Sequence, residues 1–139
     1  MNYKTSIKIL WTLLIAVILF HISIITKVVP YDIAWGARLQ NDSEMYIYES
    51  FSILIILFLA IVLLMKGQYL KFRFSTKAIN IILWVFLSFF LLNTIGNIFA
   101  KTNVEKSFAV LTFVFAVLIY TILKTKDITA PKENSVKRK

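Results

Sequence analysis

The sequence predicts an all-α, polytopic membrane protein: an antiparallel bundle of four transmembrane helices with both termini in the cytoplasm. Three observations lead there. Apolar residues make up 59% of the 139-residue chain, and its mean hydropathy of +0.78 lies far above that of soluble domains. These residues gather into four runs, over 7–26, 46–65, 78–99 and 104–123. Each run has about 20 residues, which at about 1.5 Å per residue crosses a hydrocarbon core of about 30 Å. Finally, the net charge of +9 sits at the ends of the runs, so membrane topology accounts for it better than nucleic-acid binding does.

Lipid offers no hydrogen-bond partners to the backbone, so each run must satisfy itself as a helix. The first opens with Lys4 and Lys8. Its apolar core is too long for a signal peptide and no small-residue cleavage site follows, so it reads as an uncleaved anchor. An outer loop over 27–45 leads to the second run. Loops of about 12 and about 4 residues then lead to the third and fourth, and short connections make neighbours antiparallel. The four-helix domain therefore covers 1–124. The remainder, 125–139, is polar, basic and Pro-containing. It is expected to be disordered and to lie loosely against anionic lipid.

Basic residues set the orientation. Lys4 and Lys8, then Lys66, Lys71, Arg73 and Lys77, then the six of the tail place twelve on one side. Lys27, Arg38, Lys101 and Lys106 place four on the other. The positive-inside rule makes the richer side cytoplasmic. The segment 27–45 is then outside.

Several chemistries are excluded at once. There is no cysteine, hence no disulfide, zinc–thiolate site or thiol nucleophile. HExxH, GxSxG, acidic metal-binding repeats and phosphate loops are absent. A single His gives no bis-histidine haem site. No cofactor, no metal and no catalytic set is expected. The expected partners are the bilayer, anionic lipid at the tail, and a second copy or another membrane protein, with no nucleic acid.

Polar side chains inside the spans carry the functional information, because such residues usually face the bundle interior. They are His21 with Thr12 and Ser23 in the first helix, and Glu49 with Ser50 and Ser52 in the second. The third has Asn93, Thr94 and Asn97, and the fourth has Ser107 and Thr112. At about 1.5 Å per residue, His21, Glu49, Asn93 and Asn97 all lie within roughly 10 Å of the outer boundary. His21, Glu49, Ser52, Asn93 and Asn97 are therefore the candidate pocket. A bland account stands beside it: asparagines as interhelical glue, with Gly96 permitting close helix approach, and Glu49 snorkelling to water. The ionic expectation is a His21–Glu49 pair, or each of them paired with Arg38.

The segment "VVPYDIAWGARL" is the candidate lid, through Tyr31, Trp35, Gly36 and Arg38. Pro30 ends the extension of the first helix, Trp35 points down and Arg38 toward the acids. "NDSE" resembles a helix start, with Asn41, Asp42 or Ser43 as the cap. "VVPYDIAWGARL" followed by "SEMYIYES" also resembles a pattern in an uncharacterised family of small four-helix bacterial membrane proteins. The resemblance covers 28–50 and the four-span plan. It implies a multi-pass protein of the bacterial inner membrane and brings no activity.

Three functions remain open. The first is a carrier-like protein binding a small molecule or lipid at the outer pocket. Small multidrug-resistance transporters also have four short spans and a membrane carboxylate, but theirs lies deep in the first helix, where this chain has His21 and no acid. The second is an accessory, interaction or immunity-type protein with a purely structural polar cluster. The third is a lipid-modifying membrane enzyme using a His–Glu–Asn set for acid–base work.

Overall fold

The computed structural model describes residues 2–33, 35, 39–70, 74–100 and 102–125. Four helices account for most of them: α1 Tyr3–Ile25, α2 Asp42–Lys66, α3 Thr76–Ile98 and α4 Asn103–Lys124. Each is long and apolar enough to cross a membrane. All four contain the expected apolar runs to within a residue and add polar turns at their ends. Tail residues 126–139 lie outside the described residues, as do Gly36 and Arg38 of the expected lid.

Side-chain caps start α2, α3 and α4. Asn41 caps α2, its side chain accepting from the Glu44 amide at 2.9 Å, while the Glu44 carboxylate accepts from the Gln40 amide at 2.9 Å. The "NDSE" stretch therefore starts the helix as expected, with Asn41 in the capping role. Ser75 caps α3. Thr102 and Glu105 form a reciprocal capping box on α4, which satisfies two otherwise orphaned donors and explains how Glu105 is held while buried.

α1 ends earlier than Pro30 suggests. Lys27 takes a left-handed conformation, φ 59°. Its amide reaches the Ile24 carbonyl and the Val28 amide reaches that of Ser23, the pattern of a Schellman stop. Gln68, φ 62°, closes α2 in the same way. Both stops use a side-chain-bearing residue where glycine is the usual choice.

Around the bundle, α1 packs on α2 and α4, and α3 packs on α2 and α4, with the α3–α4 seam the most extensive. Helical spacing fixes the inward faces. Ile7, Leu10 and Leu14 line one stripe of α1, Leu59 and Leu63 one of α2, Leu83, Leu87 and Phe90 one of α3, and Phe115, Ile119 and Ile122 one of α4. Along α3–α4, Trp84 meets Tyr120, Phe90 meets Phe115 with ring centroids 5.0 Å apart, and the Thr94 and Thr112 hydroxyls lie 2.9 Å apart.

The α1–α2 seam is different. It carries three polar rungs. The Tyr3 hydroxyl donates to the Lys66 carbonyl, the Trp11 indole donates to the Ala60 carbonyl at 3.2 Å, and His21 pairs with Glu49. The start of α1 thus lies beside the end of α2, and the end of α1 beside the start of α2. A hydrogen bond between spans is worth about 0.6 kcal/mol on average and up to about 1.7, so the rungs fix register more than they supply stability.

Candidate functional site

The third rung anchors the site. Glu49 lies two turns into α2, four residues after buried Met45, and this spacing turns it inward. His21 sits on the α1 stripe of Leu10, Leu14 and Val17, of which the two leucines are fully buried and Val17 half-buried. The two stripes face each other, so His21 Nδ1 meets Glu49 Oε2. The Glu49 side chain is 0% exposed and that of His21 15%. Glu49 thus places a carboxyl group, fully enclosed by protein, inside an apolar helix and within hydrogen-bond reach of an imidazole.

The other carboxylate oxygen is covered from the segment that joins α1 to α2. A short 3₁₀ turn, Tyr31–Ile33, follows Pro30, and Trp35 then adopts φ 59°. A non-glycine residue in this conformation carries roughly 1–2 kcal/mol of strain. It aims the indole N–H at Glu49 Oε1, 2.8 Å away. The Trp35 ring also packs at a tilt on Tyr48, centroids 5.2 Å apart. Leu39 and Tyr31 pack with Ile24, Phe20 and Met45 in a second, smaller apolar cluster beside the pair. At its two ends the segment is tied by an ion pair between Lys27 and Asp42. The Lys27 ammonium is held above its ordinary pKa by that hydrogen bond to Asp42, with the Coulomb attraction of Asp42 adding to it. The contribution of this pair to stability is complete below the unfolded-state value near 10.5 and is lost as pH rises through the raised folded value.

The expected pocket residues do not all join this centre. His21 and Glu49 meet. Ser52 donates to the Tyr48 carbonyl of its own helix. Asn93 and Asn97 are half-buried on α3 and make no side-chain hydrogen bond among the described residues. Gly96, expected to let another helix approach, has no neighbour within 4 Å of where a Cβ would stand. That face of α3 is open because the tight α3–α4 seam uses Thr94 and Phe90 instead. Trp35 and Tyr31 of the expected lid lie over the site. Any contact of Arg38 lies outside the described residues.

Two features escaped the sequence reading. One is the Trp35–Glu49 hydrogen bond, for which a Trp beside a glycine in a polar loop was the available signal. The other is a polar group at the opposite end of the bundle. There Lys66 and Ser6 are buried, the Lys66 ammonium lies over the Tyr3 ring, 5.8 Å from its centroid, and Asn80 Oδ1 is buried without a partner among the described residues. Charge counting placed Lys66 in a loop, where it carried no such signal. Among the described residues no group of three or more His, Asp or Glu could hold a metal ion.

No protein-family model, no curated protein and no solved structure matches the chain.

Proposed function

We propose that the chain is an antiparallel four-helix bundle of the bacterial cell membrane, both termini cytoplasmic, and that it binds a small molecule or lipid at its outer end in the manner of a carrier. Glu49 and His21 are the centre of the binding site, and the 31–35 segment is its lid. One observation carries this reading. A fully buried membrane carboxylate is closed over by a strained, 37% exposed tryptophan from the adjoining loop. Strain of this kind collects at ligand clamps and switches, and ionisable groups within spans mark sites of function. The order of contacts along α1–α2 and α3–α4 supports the antiparallel arrangement.

Topology is tested by labelling. The chain lacks cysteine, and Ser43, exposed at the start of α2, tolerates a Ser43→Cys change. A membrane-impermeant maleimide is expected to label it in intact cells. Labelling only after lysis would invert the orientation and put the lid in the cytoplasm.

A second reading has its own support. The His21–Glu49 pair is one of three rungs on a single seam, which suits an accessory or immunity-type protein whose polar cluster is structural. Native mass spectrometry of protein released gently from membrane separates the two. A defined adduct on the wild type that disappears in Glu49→Gln is expected for a binding site. Both versions bare, or both carrying the same protein partner, would leave the structural role.

A further inference from the structure

One face of α3 carries amides with nothing to bond. Asn93 follows Phe89 by four residues and precedes Gly96 by three and Asn97 by four, so the four share a face. Phe89 is 45% exposed, Gly96 is exposed with nothing within 4 Å of where its Cβ would stand, and both asparagines are half-buried. Neither amide makes a side-chain hydrogen bond among the described residues.

α2 does not close this face. It meets α3 at Phe58 and Phe86, whose ring centroids are 6.1 Å apart. With α2 and α3 antiparallel, as proposed above, the depth of Asn93 on α3 is that of Phe51 on α2, and the depth of Asn97 is that of Ile47. Phe51 and Ile47 share the Phe58 face of their helix, yet they are 61% and 68% exposed. Beyond the Phe58–Phe86 contact the side of α2 that touches α3 is therefore open. Asn93 lies five residues before the end of α3, about 7.5 Å at 1.5 Å per residue. The 23-residue helix is only slightly longer than a hydrocarbon core of about 30 Å, which puts this amide among acyl chains. Lipid offers it no hydrogen bond.

We propose that this face of α3 is the contact between two copies of the chain. An asparagine amide holds both donors and an acceptor, so two of them can bond reciprocally. The charge asymmetry of the sequence inserts every copy the same way round. Two such copies are related by a two-fold axis along the membrane normal, which returns each residue at its own depth and sets the two α3 helices parallel. Asn93 then meets its own counterpart, and Asn97 does so one turn further along. Gly96, between them in depth, lets the two backbones approach. A different membrane protein would have to present hydrogen-bonding groups at both depths, whereas a second copy has them by construction. Asparagine at a helix–helix contact also fixes register and the number of partners.

The test is disulfide trapping of the full-length chain in phosphatidylethanolamine–phosphatidylglycerol vesicles. The chain has no cysteine of its own. Gly96→Cys places a thiol on the proposed contact, and Val110→Cys places one at a 67% exposed position of α4 as the control. Mild oxidation at low protein-to-lipid ratio is expected to trap a dimer through Gly96→Cys, and roughly tenfold less through Val110→Cys. Single-molecule photobleaching of protein labelled at Ser43→Cys follows the equilibrium as the vesicles are diluted with lipid. Asn93→Leu with Asn97→Leu is expected to weaken association roughly tenfold or more. Asn93→Gln with Asn97→Gln, which keeps the amides, is expected to hold most of it. Gly96→Leu, at an exposed position that leaves the core alone, is expected to weaken it as the leucine pair does. Circular dichroism melts of each variant verify the fold. Monomers at every dilution, or a complex with a different protein and no paired copies, would overturn the second copy as occupant. Equal trapping at Gly96→Cys and Val110→Cys, or wild-type association in Gly96→Leu, would overturn this face. Wild-type association in the leucine pair, or equal loss in the glutamine pair, would overturn the amide contact.

Discussion

His21→Leu is expected to destabilise the protein by about 3–5 kcal/mol, the usual loss when one partner of a buried ion pair is removed. The cause is the group left behind. Glu49 is 0% exposed, so without the imidazole its carboxylate keeps only the Trp35 N–H and must either stay charged in hydrocarbon or take up a proton. Glu49→Leu is expected to lose less, because the orphaned His21 is 15% exposed, can remain neutral, and adds no buried charge. The double variant, His21→Leu with Glu49→Leu, is expected to recover most of the deficit, since replacing both partners with apolar groups is often neutral. Denaturant unfolding in mild detergent, followed by circular dichroism, gives the three numbers of a double-mutant cycle. Equal losses in the two single variants would mean that water reaches Glu49.

Phe115→Ala should produce the largest loss away from the polar site, about 2–3 kcal/mol. Phe115 is 3% exposed and its ring packs edge-on against Phe90. Truncation leaves a cavity in the α3–α4 seam and removes an aromatic pair worth about 1 kcal/mol. The figure lies below the 3–5 kcal/mol range seen for such changes in water-soluble cores. A separated helix in a bilayer still buries its side chains in lipid, so only packing is lost. Phe113→Ala is the control. Two residues earlier and 51% exposed, it faces away from the seam, and a loss within about 0.5 kcal/mol is expected. A Phe113 loss matching that of Phe115 would place the α4 face wrongly.

Much of this architecture was legible because hydropathy is a one-dimensional signal. Runs of about 20 apolar residues have only one economical conformation in lipid, and the start of α2 was readable to within three candidate caps, Asn41, Asp42 and Ser43, because short polar side chains before an apolar run do one job well. The His21–Glu49 pair was one of two ionic arrangements the sequence left open, the other pairing each with Arg38, and the structure shows the pair. The rotation of the helices was harder. In a bundle surrounded by lipid both faces of a span are apolar, so the pattern barely distinguishes the inside from the outside. For that reason Asn93 and Asn97 were grouped with the pair by depth alone, and the structure gives them no hydrogen bond to it. Trp35 and Lys66 illustrate a second blind spot. Their roles depend on a left-handed backbone angle and on a buried helix end, neither of which leaves a periodic trace.

The three rungs of the α1–α2 seam also bear on how the chain enters the bilayer. Tyr3, Trp11 and His21 all belong to α1, and each finds its counterpart on α2, in the Lys66 and Ala60 carbonyls and the Glu49 carboxylate. Synthesis delivers α1 first, so for a time its indole and imidazole stand in or near hydrocarbon without these partners. Those groups are satisfied when α2 arrives, and Glu49 then meets an imidazole that is already in place. The first two helices are thus chemically incomplete apart and complete as a hairpin, which makes the pair the natural unit of insertion. α3 and α4, joined mainly by rings and aliphatic side chains, can follow and dock against it.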